Sequence, residues 1–195
     1  MTRARAGLTA ERVTTSAADL ADELGFDAVT VAELARRLGV RDASLYSHVP
    51  GLAELRTRVT LLALAELADL VADAVAGHAG TAALMAFAGT HRRYALDHPG
   101  RYTAMQQPLD PATAAASAAP RHGQLTIAVL RGYSLAEPAQ TDAARLVLAT
   151  LHGFLGLERS GGFSHRSRAT TTSFTRAFEA LDVVLTDWPR RRTGA

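Results

Sequence analysis

The chain of 195 residues contains no cysteine, and this absence excludes disulfide bonds, thiol redox chemistry and thiolate metal sites together. No run of apolar residues approaches the roughly 20 that a membrane-spanning helix requires. The first part of the chain also lacks the basic, apolar and small-residue pattern of a signal peptide. We therefore expect a soluble, cytoplasmic protein with no membrane partner, stabilised by the packing of an apolar core.

Patterns typical of β-strands are nearly absent, because β-branched residues are scattered and no long stretch alternates apolar with polar residues. Helical spacing of apolar residues recurs along almost the whole chain, which predicts an all-α fold. An excess of one charge is also missing, since the formal net charge is only +2. DNA binding would therefore depend on where the basic residues stand, all 21 of which are arginine.

Local motifs of enzymes are missing too: the sequence has no glycine-rich phosphate loop, no GxSxG nucleophile motif and no paired catalytic carboxylates. His91 and His98 stand seven residues apart on one predicted helix face with Asp97 nearby, which is open to a metal or acid–base interpretation. No HExxH or related motif accompanies them, so solvated or pocket-lining histidines are the alternative. We expect no catalytic residue, no bound metal and no cofactor.

Three helices with clear start and stop signals are predicted in the first fifty residues. The first begins at a capping candidate, Thr9, carries one apolar stripe and ends at Gly25. Thr30 and Glu33 fit a capping box at the start of the second, which ends at Gly39. A short third helix follows after a tight turn. This order and spacing are typical of a three-helix helix-turn-helix bundle.

The third helix has the composition of a helix that reads the major groove, with small residues in its first turn and polar or aromatic ones further along. Leu45 and Val49 would hold it to the bundle. The residues expected to face base edges are Arg41, Ala43 and Ser44. Those expected to contact the sugar-phosphate backbone are Tyr46 and His48. The alternative is an ordinary short amphipathic helix.

Five longer helices are predicted after Pro50-Gly51, at about 52–76, 81–97, 115–132, 138–157 and 170–187, with proline or glycine between most of them. The first would be close to 40 Å long and could link two domains rigidly. We therefore divide the chain into a DNA-binding domain, residues 1–50, and a larger helical ligand-binding and dimerisation domain, residues 51–195.

Apolar side chains mixed with a few hydrogen-bonding groups are concentrated at residues 85–107, as in pockets for small molecules. The candidate ligand-binding residues are Phe87, His91, Tyr94, Tyr102, Met105 and His152. Arg92 and Arg93 are expected to point to solvent, so the ligand would be mostly apolar with one or two polar groups. The same residues could equally form plain core, and the stretch 152–163 is then the alternative pocket.

The helix at 143–157 is apolar nearly all round, and the last helix carries an apolar stripe, which indicates burial on two sides. One side would face its own domain and the other a second subunit. The candidate dimer-interface residues are Leu151, Gly153, Leu155, Phe178 and Leu185. The alternative is an interior helix without a partner.

The segment from Gly25 to Val49, GFDAVTVAELARRLGVRDASLYSHV, resembles the helix-turn-helix of TetR-type regulators. The run from His152 to Phe163 is similar to the regulatory domain of one TetR subgroup. The resemblance implies that Thr30, Tyr46 and His48 contact phosphates. It also implies a homodimeric repressor, released from a palindromic stretch of double-stranded operator DNA by a small-molecule effector.

Two residues, and the charge of the N-terminal region described next, depart from the TetR pattern. Leu52 stands where a basic residue usually follows the recognition helix, so either Arg56 or Arg58 substitutes for it or one phosphate contact is missing. Arg41 occupies a position where a small capping residue is commoner, so we expect Asp42 to cap the helix.

The first 58 residues carry eight arginines and eight acidic residues, so they have no net positive charge. Binding would then require the arginines to cluster on one side and the acidic residues to lie elsewhere. The arginines concerned are Arg3, Arg5, Arg36, Arg37 and Arg41. The acidic residues expected elsewhere are Asp19, Asp22, Glu23 and Asp27. Two rival functions remain: an architectural DNA-binding protein without an effector, and a helical enzyme that carries a helix-turn-helix.

Overall fold

The computed structural model describes residues 8–165 and 167–188, and within these ranges every regular element is helical. The α-helices are α1 (Ala10–Leu24), α2 (Val31–Leu38), α3 (Asp42–Tyr46), α4 (Leu52–Val75), α5 (Gly80–Asp97), α6 (Pro99–Ala104), α7 (Pro111–Ala116), α8 (Ala119–Leu130), α9 (Ala139–Arg159) and α10 (Thr170–Thr186). The prediction of an all-α fold is confirmed. Among the helices described, none combines the length and apolar character needed to cross a membrane.

The N-terminal helices begin and end where their capping residues predict. The hydroxyl groups of Thr9 and Thr30 each accept a hydrogen bond at 3.2 Å from the backbone N–H three residues later. Gly39 ends α2 in the left-handed conformation at φ 66°, which glycine adopts without steric cost. The predicted capping box is only half formed, because the Glu33 carboxylate pairs with Arg36.

The end of the helix predicted at 81–97 is confirmed by α5, but the sequence does not predict α6, whose first residue is Pro99. Proline is favoured there, since its missing N–H would have no partner within the helix. The single helix predicted at 115–132 is replaced by α7 and α8, because the backbone at Ser117 is extended.

The described chain forms two packing units, and α4 contributes to both. The first comprises residues 8–67 and 97–119, and the second comprises 68–96 and the described residues from 120 onward. The first core joins apolar residues of α1, α2 and α3 with Leu55 and Val59 of α4. The packing unit that holds α1 to α3 also includes α6 and part of α4, so its limits differ from the predicted DNA-binding domain, residues 1–50. That domain boundary stays a prediction about function.

Within the first unit, α6 packs closely against α1, and a buried arginine of α6 pairs with carboxylates of α1. A Cβ on Gly100 would lie 2.0 Å from the Ala21 carbonyl oxygen, so only glycine fits. The Arg101 backbone N–H donates to Asp22 at 2.9 Å, and the Arg101 guanidinium pairs with Asp19 at 2.6 Å. Because Arg101 is buried, removing these carboxylates would leave its charge poorly compensated.

Candidate DNA-binding surface and ligand-binding residues

The five-residue helix α3 is divided into a buried and an exposed side. Leu45 and Val49 are 3% and 4% exposed and pack into the core of the first unit, which confirms their predicted orientation. The residues predicted to reach base edges, Arg41, Ala43 and Ser44, are all exposed. The backbone and side chains of the first turn of α3 are therefore accessible to a DNA duplex.

Asp42 does not cap α3, contrary to expectation. The N-cap residue is Arg41, whose side chain makes no capping hydrogen bond, and Asp42 is the first helical residue. The Asp42 carboxylate still lies in the first turn, where a negative charge interacts favourably with the helix dipole. Arg41 forms no ion pair within the described residues, so its guanidinium is available to a base or a phosphate.

The predicted phosphate-contacting residues flank α3. Tyr46 is 54% exposed, an unusual position for a large aromatic side chain, and His48 is half-buried. Thr30, at the N-terminus of α2, is exposed, and its hydroxyl oxygen already accepts the Glu33 N–H. The hydroxyl hydrogen of Thr30 can therefore still be donated to a phosphate oxygen.

The arginines of α2 are paired with carboxylates rather than free. Arg36 pairs with Glu33, and Arg37 donates two hydrogen bonds to Glu23, at 2.6 and 2.9 Å. The hydrogen-bonding guanidinium of Arg37 lowers the pKa of the Glu23 carboxyl. The expectation that Glu23 lies away from the arginines is wrong. Arg3 and Arg5 lie outside the described residues.

The two arginines expected to replace the basic residue missing at Leu52 are both engaged within the chain. Arg56 donates to the Asp27 carbonyl oxygen at 3.0 Å and lies over the Phe26 ring, 5.7 Å from its centroid. Arg58 donates to Glu54 at 2.8 Å. Either guanidinium would have to give up its contacts within the chain to bind a phosphate. The predicted phosphate contact from Arg56 or Arg58 stays a prediction.

Among the ligand-binding candidates, Phe87, His91 and Tyr94 of α5 are only 2–3% exposed. The Phe87 and His91 rings lie 4.3 Å apart, and the His91 Nδ1–H donates to the Phe87 carbonyl oxygen at 2.8 Å. His122 of α8 lies edge-on to His91, with ring centroids 6.4 Å apart. The structure therefore brings histidines of α5 and α8 together in the second unit.

Burial favours the neutral form of His91 and His152. The pKa of His91 is lowered to about 4, chiefly by burial and to a smaller extent by the nearby His122 and His152. Burial also lowers the pKa of His152, with His122 adding to the effect. Because Nδ1 of His91 carries its proton, Nε2 carries the lone pair and can only accept a hydrogen bond. His91, His122 and His152 together are called the histidine cluster below.

The remaining candidates are placed differently. Tyr102, on α6, and Met105, its C-cap residue, belong to the first unit, so the predicted ligand-binding set is divided between the units. The Nδ1 atom of His98 lies 3.0 Å from a carboxylate oxygen of Asp22. No group of three metal-ligating side chains occurs among the described residues. Arg92 does not point to solvent as expected, since it pairs with Glu158 at 2.6 Å.

The predicted dimer-interface residues are mostly directed into the chain itself. Four of them are completely buried in the single chain, namely Leu151, Leu155, Phe178 and Leu185. The prediction that these side chains face a partner is wrong, because they form the core of the second unit. Gly153 is exposed, and a Cβ added there would meet no atom within 4 Å.

A different set of apolar side chains faces outward on the same two helices. Leu146 and Leu157 of α9 are 36% and 52% exposed, and their spacing from Gly153 places all three near one face. On α10, Val183 and Val184 are 59% and 44% exposed. These five residues are called the outer face of α9 and α10 below.

Comparison with known proteins agrees with this geometry. The family of bacterial regulatory proteins described as the tetR family matches residues 13–56, which include α2 and α3. The tetracyclin repressor-like C-terminal domain matches residues 84–181. The chain belongs to the TetR family. It is a transcriptional regulator with a helix-turn-helix DNA-binding domain, and its family is not one of enzymes.

Individual TetR-family relatives cover most of the chain. An uncharacterised HTH-type transcriptional regulator of Mycobacterium tuberculosis is 37% identical over 163 residues, which are 80% of this chain and 72% of that protein. The TetR family regulator PfmR of Thermus thermophilus is 25% identical, with a TM-score of 0.65 over 95% of this chain and 99% of that one. The TetR family protein ActR of Streptomyces coelicolor, solved in complex with actinorhodin, shares the fold at 22% identity and a TM-score of 0.65, over 92% of this chain and 97% of that one.

Cavities open in the second unit of this TetR-family protein. One of about 700 Å³ is lined by residues 132–139 together with Asp142, Thr186 and Trp188. Another, of about 260 Å³, is lined by Phe154, Phe163, Arg168, Thr170 and Ser173. Neither is lined by Phe87, His91 or Tyr94, whereas Phe154 and Phe163 of the smaller cavity belong to the alternative stretch 152–163.

Sequence reasoning missed His122 and the pairing of Arg92 with Glu158. His122 stands 31 positions after His91, and Glu158 stands 66 positions after Arg92. No local pattern links residues that far apart. One signal is the scarcity of acidic residues near Arg92 within its own helix, because a half-buried arginine then pairs with a carboxylate from another element.

Proposed function

We propose that the protein is a homodimeric repressor that binds a palindromic operator and releases it when a small, mostly apolar effector binds in the C-terminal domain. The observation that carries this proposal is the division of α3. Its exposed first turn presents Arg41, Ala43 and Ser44, while Leu45 and Val49 anchor it to the core of the first unit. An anchored helix with a free N-terminal turn is the arrangement that reads bases in the major groove.

The contacts with DNA fall into two groups with different consequences. Tyr46, His48 and the Thr30 hydroxyl would donate hydrogen bonds to phosphates, which position the protein but carry no sequence information. Arg41 can reach the O6 and N7 atoms of guanine with two parallel hydrogen bonds, which distinguishes base pairs. Specificity would therefore depend on the N-terminal turn of α3.

Dimerisation would use the outer face of α9 and α10. Isolated exposed leucines and valines are ordinary, but these four stand, with the exposed Gly153, on two helices that contact each other. We take them as one apolar strip, in which the glycine would let a partner backbone approach. A two-fold axis through this strip would present two copies of α3 to two equivalent half-sites. The operator would then be palindromic.

The effector would bind near the histidine cluster. ActR, which shares this fold, holds actinorhodin in its solved complex. In the present chain the neutral His91 offers an accepting nitrogen in an apolar surrounding, which suits a mostly apolar molecule with one hydrogen-bond donor. Such a ligand weakens DNA binding only as far as it prefers the conformation that does not fit the operator.

Selection of bound duplexes from a random-sequence pool tests the operator proposal. The full-length protein is expected to enrich a palindrome with half-sites about one helical turn, or a multiple of it, apart. An Arg145→Ala protein is the matched control, because Arg145 is an exposed arginine of α9 in the second unit, whereas α3 belongs to the first. Enrichment of an asymmetric site, or of no sequence at all, would contradict the dimeric repressor.

The effector proposal is tested with compounds that release the selected operator. A compound that releases the wild type is expected to lose this effect on His91→Leu, while operator affinity stays within about twofold. His78→Leu, an exposed position, is the control. Equal release of both variants would place the effector elsewhere.

A second candidate, an effector-independent DNA-binding protein, is favoured by the close packing of α5. Phe87, His91 and Tyr94 are almost completely buried, so an effector would have to displace packed side chains. A protein that binds its operator with the same affinity in the presence of every compound tested would support this candidate.

A further inference from the structure

We propose that the smaller of the two cavities described in the second unit is a binding site for a small aromatic carboxylate, separate from the proposed effector site at the histidine cluster. The cavity lies between the C-terminal part of α9, the connection that follows it and the start of α10. It is lined by Phe154, Phe163, Arg168, Thr170 and Ser173 and measures about 260 Å³. This site is called the aromatic pocket below.

The walls of the aromatic pocket favour a flat ring. Phe154 and Phe163 are half-buried, with ring centroids 4.9 Å apart. Phe174 closes the cluster behind them, 5.2 Å from Phe154 and edge-on to it. Aromatic faces and edges arranged in this way bind a further ring by offset or edge-to-face contact. A cavity of roughly 150 Å³ is enough for benzene, so the volume here suits one or two fused rings.

The charge of the aromatic pocket favours an anion. Arg168 is exposed at the rim and forms no ion pair within the described residues. The neighbouring cation, Arg92, lies 5.5 Å from the centroid of Phe174 but is neutralised by two hydrogen bonds to Glu158 at 2.6 and 2.9 Å. Among the residues that line the pocket, the positive charge is that of Arg168, and guanidinium groups bind carboxylates through paired hydrogen bonds.

Hydroxyl groups add to this preference. Thr170 and Ser173 line the same pocket and can donate hydrogen bonds to a carboxylate oxygen. The first residues of α10 have no side-chain cap, since the N-cap residue is Ala169. The polar lining, the charge of Arg168 and the aromatic walls together describe a ligand with an apolar ring and one carboxylate.

Calorimetric titration of the full-length protein with 2-naphthoate tests the proposal, with the uncharged 2-naphthamide as the matched ligand. We expect one naphthoate per chain, a dissociation constant about tenfold weaker in Arg168→Gln, and naphthamide binding that does not change with this substitution. Ser173→Phe should fill the pocket and abolish naphthoate binding. Arg176→Gln, which changes an exposed arginine one turn further along α10, should bind like the wild type.

Three results would overturn the proposal. The first is no binding of naphthoate to the wild type at millimolar concentration. The second is unchanged binding in both Arg168→Gln and Ser173→Phe, with circular dichroism showing that both fold. The third is competition between naphthoate and dimerisation in sedimentation, which would mean that a second copy of the chain covers the pocket. The titration contains no DNA, so failure of the operator or effector proposal leaves its outcome unaffected.

Discussion

The region around α2 and α3 and the region around α5, α9 and α10 differ in how far apart their cooperating residues stand in sequence. In the first region, Leu45 and Val49 are four positions apart and Thr30 caps a helix through a residue three positions on. In the second, the His91 ring lies edge-on to His122, 31 positions away, and Arg92 donates a hydrogen bond to Glu158, 66 positions away. The candidate DNA-binding surface therefore depends on local helix geometry. The histidine cluster and the Arg92–Glu158 pair depend instead on packing between helices that are far apart in sequence.

The inward and outward faces of α9 provide the largest expected contrast. Leu151 is completely buried, so Leu151→Ala should lower the free energy of unfolding by about 2–5 kcal/mol. Gly153→Leu adds a side chain where no atom lies within 4 Å, so it should leave the chain folded and disturb only the dimer. Urea unfolding and sedimentation velocity at one protein concentration measure both effects.

Reversal of these two results would show that the faces of α9 are assigned wrongly. A Gly153→Leu protein that unfolds would mean that the glycine packs inside the unit. One that stays fully dimeric would remove the outer face of α9 and α10 as the interface.

The histidine cluster is expected to make stability depend on pH. His91 takes up a proton near pH 6.5 in the unfolded chain but only near pH 4 in the folded one, because burial lowers its pKa. The unfolded state therefore binds more protons between these values, and about 3 kcal/mol of stability should be lost as the pH falls from 6.5 to 4. His91→Gln should lack this loss.

Urea unfolding at several pH values measures the difference between wild type and His91→Gln. Carboxylates and the other histidines titrate in both proteins, so the difference isolates His91. The exposed His78→Gln serves as the control and should follow the wild type. Parallel pH profiles for wild type and His91→Gln would mean that His91 is solvated in solution.

Substitutions in α3 should separate base readout from phosphate contact. Arg41→Ala should cost about 1–3 kcal/mol on the preferred operator and change which base is preferred at one position of each half-site. Tyr46→Ala should weaken binding about equally on all sequences, because phosphates are common to all of them. Gel-shift titrations on a panel of operator variants measure both. Full operator affinity in a folded Tyr46→Ala protein would rule out the proposed orientation of α3.

The smallest effect is expected from releasing Arg37 from its carboxylate. Glu23→Gln removes the negative charge that neutralises Arg37, so DNA affinity should rise by about twofold at low salt and the rise should vanish at high salt. Glu179→Gln, which releases Arg176 on α10 in the same way, should have no effect on DNA. Equal changes in the two variants would indicate a general effect of net charge.

The amino-acid sequence alone determined the all-α fold, the ends of the first two helices and the buried and exposed sides of α3. These features depend on capping residues and on apolar spacing within one or two turns, which can be read without knowing the neighbours. The sequence does not predict the start of α6, because a proline such as Pro99 is typical both of a break between helices and of the first position of a helix.

Tertiary structure alone decided which side of α9 is core, which histidines meet and which arginines are neutralised. Leu151 and Leu155 are as apolar as Leu146 and Leu157, and only the helices packed around them distinguish the buried pair from the exposed one. Likewise Arg92 and Arg168 have the same chemistry, yet the fold places Glu158 beside the first and leaves the second at the rim of a cavity. Burial and charge compensation depend on distances between elements, and amino-acid spacing along the chain does not determine those distances.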